Sequence, residues 1–324
     1  MRSMKLSILR LLGLLVVLSV IAAGCSGGTT GGVGNQGGSE TPKVSLSGAE
    51  FTVGSKEFTE QLILGQIAIQ ALEARGATVT DNTGLPSTGA ARKALESGEI
   101  DMYWEYTGTG WITHLGHTDP IPDAQEQYEA VAEEDLEKND IEWLSPAPAN
   151  NVFAIAVRSE AVGILGTKSL SSLGVLSEVR PEDVTLCAAS EFLNREDGLP
   201  GLEEAYDFKI PTGNIVKSEL DQIHQAVDEG EECNYGEVFA TDGQINGLEL
   251  TLLKDDEQFF PVYNPSLTVS KKVMDEYPEL ADVFTPITQK LNEETLRDLN
   301  AAVDVDGKSE EAVARQFLRE NGLL

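Results

Sequence analysis

Two stretches of this 324-residue chain repeat one arrangement. Ala94–Tyr106 reads ALESGEIDMYWEY, and Ala226–Phe239 reads AVDEGEECNYGEVF. In each, a helix end meets a Gly-Glu pair and then a strand with tyrosine at the same offset, Tyr103 or Tyr235. A glutamate follows (Glu105, Glu237), then a ring (Tyr106; Phe239, one residue later). A helix feeding directly into a strand is part of an α/β layer. Two such junctions predict two α/β lobes. Ligands of open α/β sheets bind beyond the carboxyl ends of the strands, where both rings fall. Facing lobes therefore predict a clam-shell with an aromatic-lined cleft.

The flanking pattern fills in the lobes. Glu50–Val53 reads as a strand and Thr59–Arg75 as a helix stopped by Gly76, with Leu62, Ile63, Ile67 and Ala71 on its apolar face. Ala77–Thr80 alternates as a strand, Thr88–Ser97 is a helix ending at Gly98, and Ile100–Tyr103 is the next strand. This order predicts a largely parallel sheet. Asp123–Lys138 is an acidic helix, and Ala147–Asn151 is a junction marked by Pro and Asn. Beyond it, strands at Val152–Val157, Val184–Ala188 and Asn214–Lys217 alternate with helices near Leu199–Tyr206 and Leu220–Asp228. The tail holds a strand at Ser266–Ser270 and helices near Pro278–Leu291, Glu293–Asn300 and Glu310–Asn321. Lobe 1 is expected to be discontinuous, 44–149 plus 264–324, with 150–263 as lobe 2. Two crossings, near Asn151 and Tyr263, would form the hinge.

The first 43 residues read as an export leader and a tether. Met1–Arg10 carries Arg2, Lys5 and Arg10 without an acid, and Leu11–Ala23 is a mainly apolar run too short to span a bilayer. It ends Ala22-Ala23-Gly24-Cys25, the small-residue pattern of a lipoprotein signal peptide (1–24) that leaves Cys25 for lipid attachment; a plain secretory signal is the alternative. Residues 25–43, rich in Gly, Ser and Thr, cannot bury enough apolar surface to order themselves and read as a flexible tether.

The chain has 23 basic and 54 acidic residues, a formal charge of −31. Loss of 1–24 removes three basic residues and no acid, leaving 20 against 54 and a charge of −34. Such a surface excludes nucleic acid as a partner. Two cysteines remain after Cys25. In an exported protein Cys187 and Cys233 are expected to be bridged, with two separate buried thiols as the alternative.

The most informative chemistry lies in GSKEFTEQLILGQ (Gly54–Gln66) and GEIDMYWEYTGTGW (Gly98–Trp111). A lysine after a strand and before a helix start, a ring at a strand end and a Thr-Gly-Thr turn suit a small zwitterion. A quaternary ammonium cannot donate a hydrogen bond, so ring faces must hold it, each contributing roughly 0.5–2 kcal/mol once desolvated. Micromolar binding needs about 8 kcal/mol, so a carboxylate held by charge-assisted bonds must supply much of the rest.

From about Glu50 onward the chain resembles the substrate-binding lipoproteins of osmoprotectant (glycine betaine/choline/carnitine) ABC importers. The resemblance implies a type II periplasmic-binding-protein clam-shell whose lobes close on an osmolyte, a permease partner in the membrane and an ATPase on another subunit. Lys56 matches the lysine of the GSK motif, and Tyr106 and Thr109 match EYTGT. Asn151 and Phe153 fall where the family has a polar residue and an aromatic. Arg195 in NREDGLP matches the carboxylate-binding arginine, Phe239 in VFATD stands where tyrosine is usual, and Tyr263 in PVYNP matches the last ring. By that carry-over Tyr106, Phe153, Phe239 and Tyr263 form a cage, while Lys56, Thr109 and Arg195 hold the carboxylate. Arg195 stands beside Glu196 and Asp197, which compete for it as ion-pair partners. The expected protein is a monomeric, lipid-anchored receptor on the outer face of the cytoplasmic membrane, with no cofactor and no metal. A cleft for choline, carnitine, ectoine or an amino acid is the alternative.

An extracytoplasmic enzyme on the same fold is the rival of another class. His114, His117 and His224 form no HExxH pattern, and neither CxxC, GxSxG nor a Walker loop is present. His114 and His117, three apart, could share a metal only with a third ligand close by.

Overall fold

The computed structural model describes residues 44–119 and 121–324; the leader, Cys25 and the tether lie outside them. Lys43–Leu324 forms one compact unit, and no helix among the described residues is long and apolar enough to cross a membrane.

The chain opens with β1 (Glu50–Lys56), α1 (Thr59–Glu73), β2 (Thr78–Leu85), α2 (Thr88–Ser97) and β3 (Met102–Tyr106). A helical turn α3 (Thr107–Thr109) runs into a five-residue π-helical segment (Gly110–His114), then α4 (Ala124–Asn139) and β4 (Ile141–Trp143) follow. The chain crosses to a second sheet through β5 (Phe153–Arg158), α5 (Ser159–Leu165), α6 (Leu170–Val179), β6 (Leu186–Ala188), α7 (Leu199–Ala205), β7 (Ile215–Lys217), α8 (Leu220–Glu229), β8 (Tyr235–Phe239), α9 (Gln244–Gly247) and β9 (Leu250–Leu252). It returns as β10 (Pro265–Ser270) and ends in α10 (Lys271–Glu276), α11 (Leu280–Thr288), α12 (Glu293–Asp304) and α13 (Glu310–Glu320).

The sheets run β2-β1-β3-β10-β4 and β7-β6-β8-β5-β9, so each lobe is α/β and the fold is the two-lobe clam-shell of type II binding proteins. Both sheets are mixed where largely parallel ones are expected. In the first, β1 pairs in parallel with β2 and β3, whereas β10 runs antiparallel to β3 and β4. In the second, β6 pairs in parallel with β7 and β8, whereas β5 is antiparallel to β8 and β9. The reason is topological: a strand that has just crossed from the other lobe enters at the cleft, opposite in sense to the βαβ strands that end there.

Lobe 1 buries α1 against the first sheet and α13, with Leu64, Ile67, Ala68 and Leu72 inaccessible. All five residues of β3 are buried, so this central strand shows no alternation. The predicted Thr-Gly-Thr turn is helical instead. A Cβ on Gly108 would lie 2.7 Å from two carbons of the Tyr263 ring, so only glycine lets this turn pass so close to the second crossing. The crossings themselves are hydrogen-bonded: Asn151 N donates to Tyr263 O at 3.0 Å, and Tyr263 N to Asn150 Oδ1 at 2.8 Å. In lobe 2 a disulfide joins Cys187 in β6 to Cys233 just before β8, Cα atoms 5.7 Å apart.

Helix α12 of lobe 1 touches the segment that follows β8. Arg297 Nε donates to Ala240 O at 3.0 Å and Asn300 Nδ2 to Thr241 O at 2.9 Å. A Cβ on Gly243 would meet the backbone of Ala301 at 2.3 and 2.5 Å. Gly243→Ala is therefore expected to cost about 1–3 kcal/mol, because backbone cannot rotate away as a side chain can. Urea denaturation measures it; an unchanged midpoint would show that the two segments part freely.

Candidate functional site

A cavity of about 630 Å³ lies between the sheets. It collects the ends of β1, β3, β6 and β8, both crossings and the start of α1. Lys56, Tyr106, Thr109, Asn151, Phe153, Arg195, Phe239 and Tyr263 all line it. Its size is that of small-molecule sites.

Four of these residues bring rings to one wall. Phe153 and Phe239 face each other across the β5–β8 pair, centroids 5.1 Å apart and 28° from parallel. Tyr263 meets Phe153 edge-on at 5.9 Å. The ring that connects Tyr106 to this group is Phe58, which sequence reasoning passed over. It stacks on Phe239 at 5.2 Å and on Tyr106 at 6.3 Å. Phe58 sits at the N-cap of α1, with no side-chain cap bond to occupy it. Its place in KEFTE, one residue before a helix, was the available signal. Rings already in contact leave no space for a cation between them, so an alkylammonium here would take their outer faces and edges.

The two predicted cations arrive with partners of their own. Lys56 is 4 % exposed, its Nζ donates to Glu105 Oε1 at 2.6 Å, and it lies 5.2 Å from the Tyr106 ring centre. Glu105 also accepts from Tyr103 OH at 2.9 Å and Tyr106 N at 2.9 Å, and its Oε2 shares a hydrogen bond with His114 Nε2 at 2.9 Å. Burial opposes its charge, but Lys56 and His114 prevail and hold the carboxyl well below the usual carboxylate range. Arg195 forms a two-pronged pair with Asp197, at 2.8 and 2.5 Å, and its guanidinium stands 5.3 Å from the centre of Phe153. Tyr263 OH donates to the same Asp197 at 2.7 Å. Thr109 Oγ1 lies 3.5 Å from Arg195 Nη2. The three residues expected to hold a carboxylate thus line one cavity, and both positive charges among them are matched by buried acids.

Asn151 does not present its amide to the cavity as a free group. It donates to Glu60 Oε1 at 2.7 Å and to Thr241 Oγ1 at 2.8 Å. Glu60 is buried and takes two further bonds to Oε2, from Thr241 Oγ1 at 2.7 Å and Asn300 Nδ2 at 3.0 Å, besides Tyr106 OH at 2.8 Å on Oε1. Burial raises its pKa, and four neutral donors work against that rise. This carboxyl joins α1, β3, the first crossing, the segment after β8 and α12. At the rim, Thr88 at the start of α2 donates through N and Oγ1 to the two oxygens of Glu191 in lobe 2, at 2.9 and 2.8 Å.

The histidines serve other ends. His114 is engaged with Glu105, whereas His117 stacks on Trp111 at 3.6 Å and bonds Glu134, so the two do not converge. The described residues contain no cluster of three groups that could hold a metal. Trp104 is wholly buried against Phe284, and Tyr235 bonds Thr167.

Two α/β lobes around a ring-lined, polar-floored cleft define a solute-binding protein of the clam-shell class. The chain belongs to the substrate-binding family of ABC-type osmoprotectant importers: a family model for the "substrate binding domain of ABC-type glycine betaine transport system" matches residues 49–320. It is 40% identical over 277 residues to a glycine-betaine-binding protein of Pseudomonas aeruginosa, covering 84% of this chain and 88% of that protein. It is 36% identical over 277 residues to the glycine betaine-binding protein YehZ of Escherichia coli, covering 83% and 90%. The solved structure of apo YehZ superposes with a TM-score of 0.63 at 34% identity, over 85% of this chain and 99% of that one. Both relatives are binding proteins by name.

Proposed function

We propose that this chain is the extracytoplasmic receptor of an ABC importer that takes glycine betaine or a related quaternary-ammonium osmolyte. The observation that supports it best is the convergence of Tyr106, Phe153, Phe239 and Tyr263 on the cavity that also holds Thr109 and Arg195. The cation would lie against the ring faces, and Thr109, Arg195 and Lys56 would meet the carboxylate. Lobe closure would exclude water and strengthen each of these contacts. In this reading lobe 1 is 44–149 plus 264–324, Cys25 carries a lipid anchor, and the closed monomer docks on a membrane permease. It performs no chemistry on its solute.

One observation favours a second reading. Lys56 and Arg195 are already paired with Glu105 and Asp197, which weakens the case for a carboxylate and strengthens that for choline, a cation without one. Isothermal titration calorimetry of the purified protein with glycine betaine and then choline separates the two. Tight betaine and weak choline binding support the zwitterion; the reverse supports the cation. Phe239→Ala is expected to weaken either ligand at least tenfold, since it removes a partly exposed ring face with modest core loss. Unchanged affinity would remove the cage.

A further inference from the structure

The repeated arrangement of the two lobes diverges at its glutamates. Glu105 in β3 receives a lysine, a tyrosine hydroxyl, a backbone amide and a histidine. Glu237 in β8 is as deeply buried, 2 % exposed, yet its carboxyl takes a single bond, from Ala189 N to Oε2 at 2.7 Å. Among the described residues no lysine, arginine or histidine pairs with it. Tyr235, which stands where Tyr103 does, shares a hydrogen bond with the Thr167 hydroxyl instead.

Glu237 lines the ligand cavity. It lies opposite Ile155 in the strand pair that sets Phe239 opposite Phe153. Residues two apart share a face of a strand, so the carboxyl lies on the ring side of the sheet, one step deeper than Phe239. The charged groups around it are committed. Arg195 and Glu191, after β6, face it, but Arg195 is held by Asp197; Asp242, after β8, is bonded to His224 of α8 at 2.9 Å. Phe153–Val157 of β5 contributes no charge, and Lys217 at the end of β7 lines the same cavity without reaching Glu237.

We propose that Glu237 is the counter-charge for the cationic head of the ligand, filling from the solute the partnership that Lys56 supplies to Glu105. The inference rests on the quaternary-ammonium reading above. Burial, helped by Asp242 and Glu191 and opposed by the Ala189 amide and Arg195, pushes the Glu237 carboxyl up to about 8. It is therefore mostly protonated at neutral pH in the free protein. An arriving cation favours the ionised form, so binding sends its proton to the solvent. Affinity then rises with pH, by up to tenfold per unit, until the free carboxyl is itself ionised.

The test is calorimetry of the wild-type protein with glycine betaine and with choline at pH 6, 7 and 8, each in two buffers of different ionisation enthalpy. Neither ligand titrates in this range. The expected result is at least tenfold tighter binding at pH 8 than at pH 6, with up to one proton released per ligand. Glu237→Gln should bind with no such dependence, and His224→Gln, which removes the imidazole bonded to Asp242, should keep it. The proton count in the wild type stands even if a variant fails to fold. Tight binding with no proton release overturns the inference and leaves the functional reading intact. Affinity that falls as pH rises overturns it too, because the protonated carboxyl would then be the form that binds, as a hydrogen-bond donor to the ligand's oxygen. Binding of neither osmolyte at any pH overturns the functional reading and this inference together.

Discussion

Glu105→Gln should lower the unfolding free energy by about 3–5 kcal/mol at pH 7. The substitution keeps the shape of the side chain and removes the one acid that, among the described residues, pairs with a lysine that is 4 % exposed. An ion pair of this depth adds little over an apolar pair of the same volume, but half of one leaves a charge in low dielectric without compensation. The pH dependence has a definite sign. The native carboxyl sits well below its ordinary value of 4.5, so its contribution is complete above that pH and declines as the medium is acidified below it. The gap between wild type and variant should accordingly narrow by about 1.4 kcal/mol for each pH unit below 4.5. Urea denaturation at pH 7 and pH 3 measures both. Equal midpoints at pH 7 would mean that Lys56 finds other compensation.

The second large effect belongs to lobe 2. Cys187 and Cys233 enclose 46 residues of separation, for which the chain-entropy account of a cross-link gives about 4 kcal/mol. The bridge holds the start of β8 beside β6, the two strands that carry Glu237 and lead to Glu191 and Arg195. Guanidinium unfolding with and without dithiothreitol, and of a Cys187→Ser/Cys233→Ser variant, should show lobe 2 melting first once the bridge is gone. Identical curves would assign the stability of this lobe to its core alone.

How much of this was legible beforehand depends on whether a feature is local. The two-lobe plan follows from strand, helix and glycine order, and α2, α8 and α13 begin and end within two residues of expectation because Ser87, Gly98, Gly230 and Ser309 mark their ends. Strand β3 was placed too early, ending at Tyr103, since its run to Tyr106 is buried on both faces and shows no alternation. The stretch Ser159–Val179, short of strong apolar periodicity, concealed α5 and α6, and the three-residue strands β4 and β9 fall below any pattern. At the site, a motif names Lys56 and Arg195 but not what neutralises them. Asp197 is a neighbour in the chain and could be suspected. Glu105 is 49 residues away and becomes a partner only when β3 lies beside β1. Phe58 and Glu60 escaped notice for a similar reason: at a helix start they read as surface, and they are covered by residues far off in the chain, Tyr106, Asn300, Thr241 and Phe239.

The bond between Thr88 and Glu191 has a kinetic meaning. It joins the lobes at the rim of the cavity, places a carboxylate on the first turn of α2 where the backbone dipole favours it, and reaches inward only to Arg195, 3.6 Å from the same carboxylate. A contact of that kind has to break before the lobes can part at this edge, so it adds to the cost of opening. Water competing for one carboxylate at one helix end then becomes part of what opening requires, beside the bonds of Glu60, Arg297 and Asn300 to the segment after β8 and the first crossing.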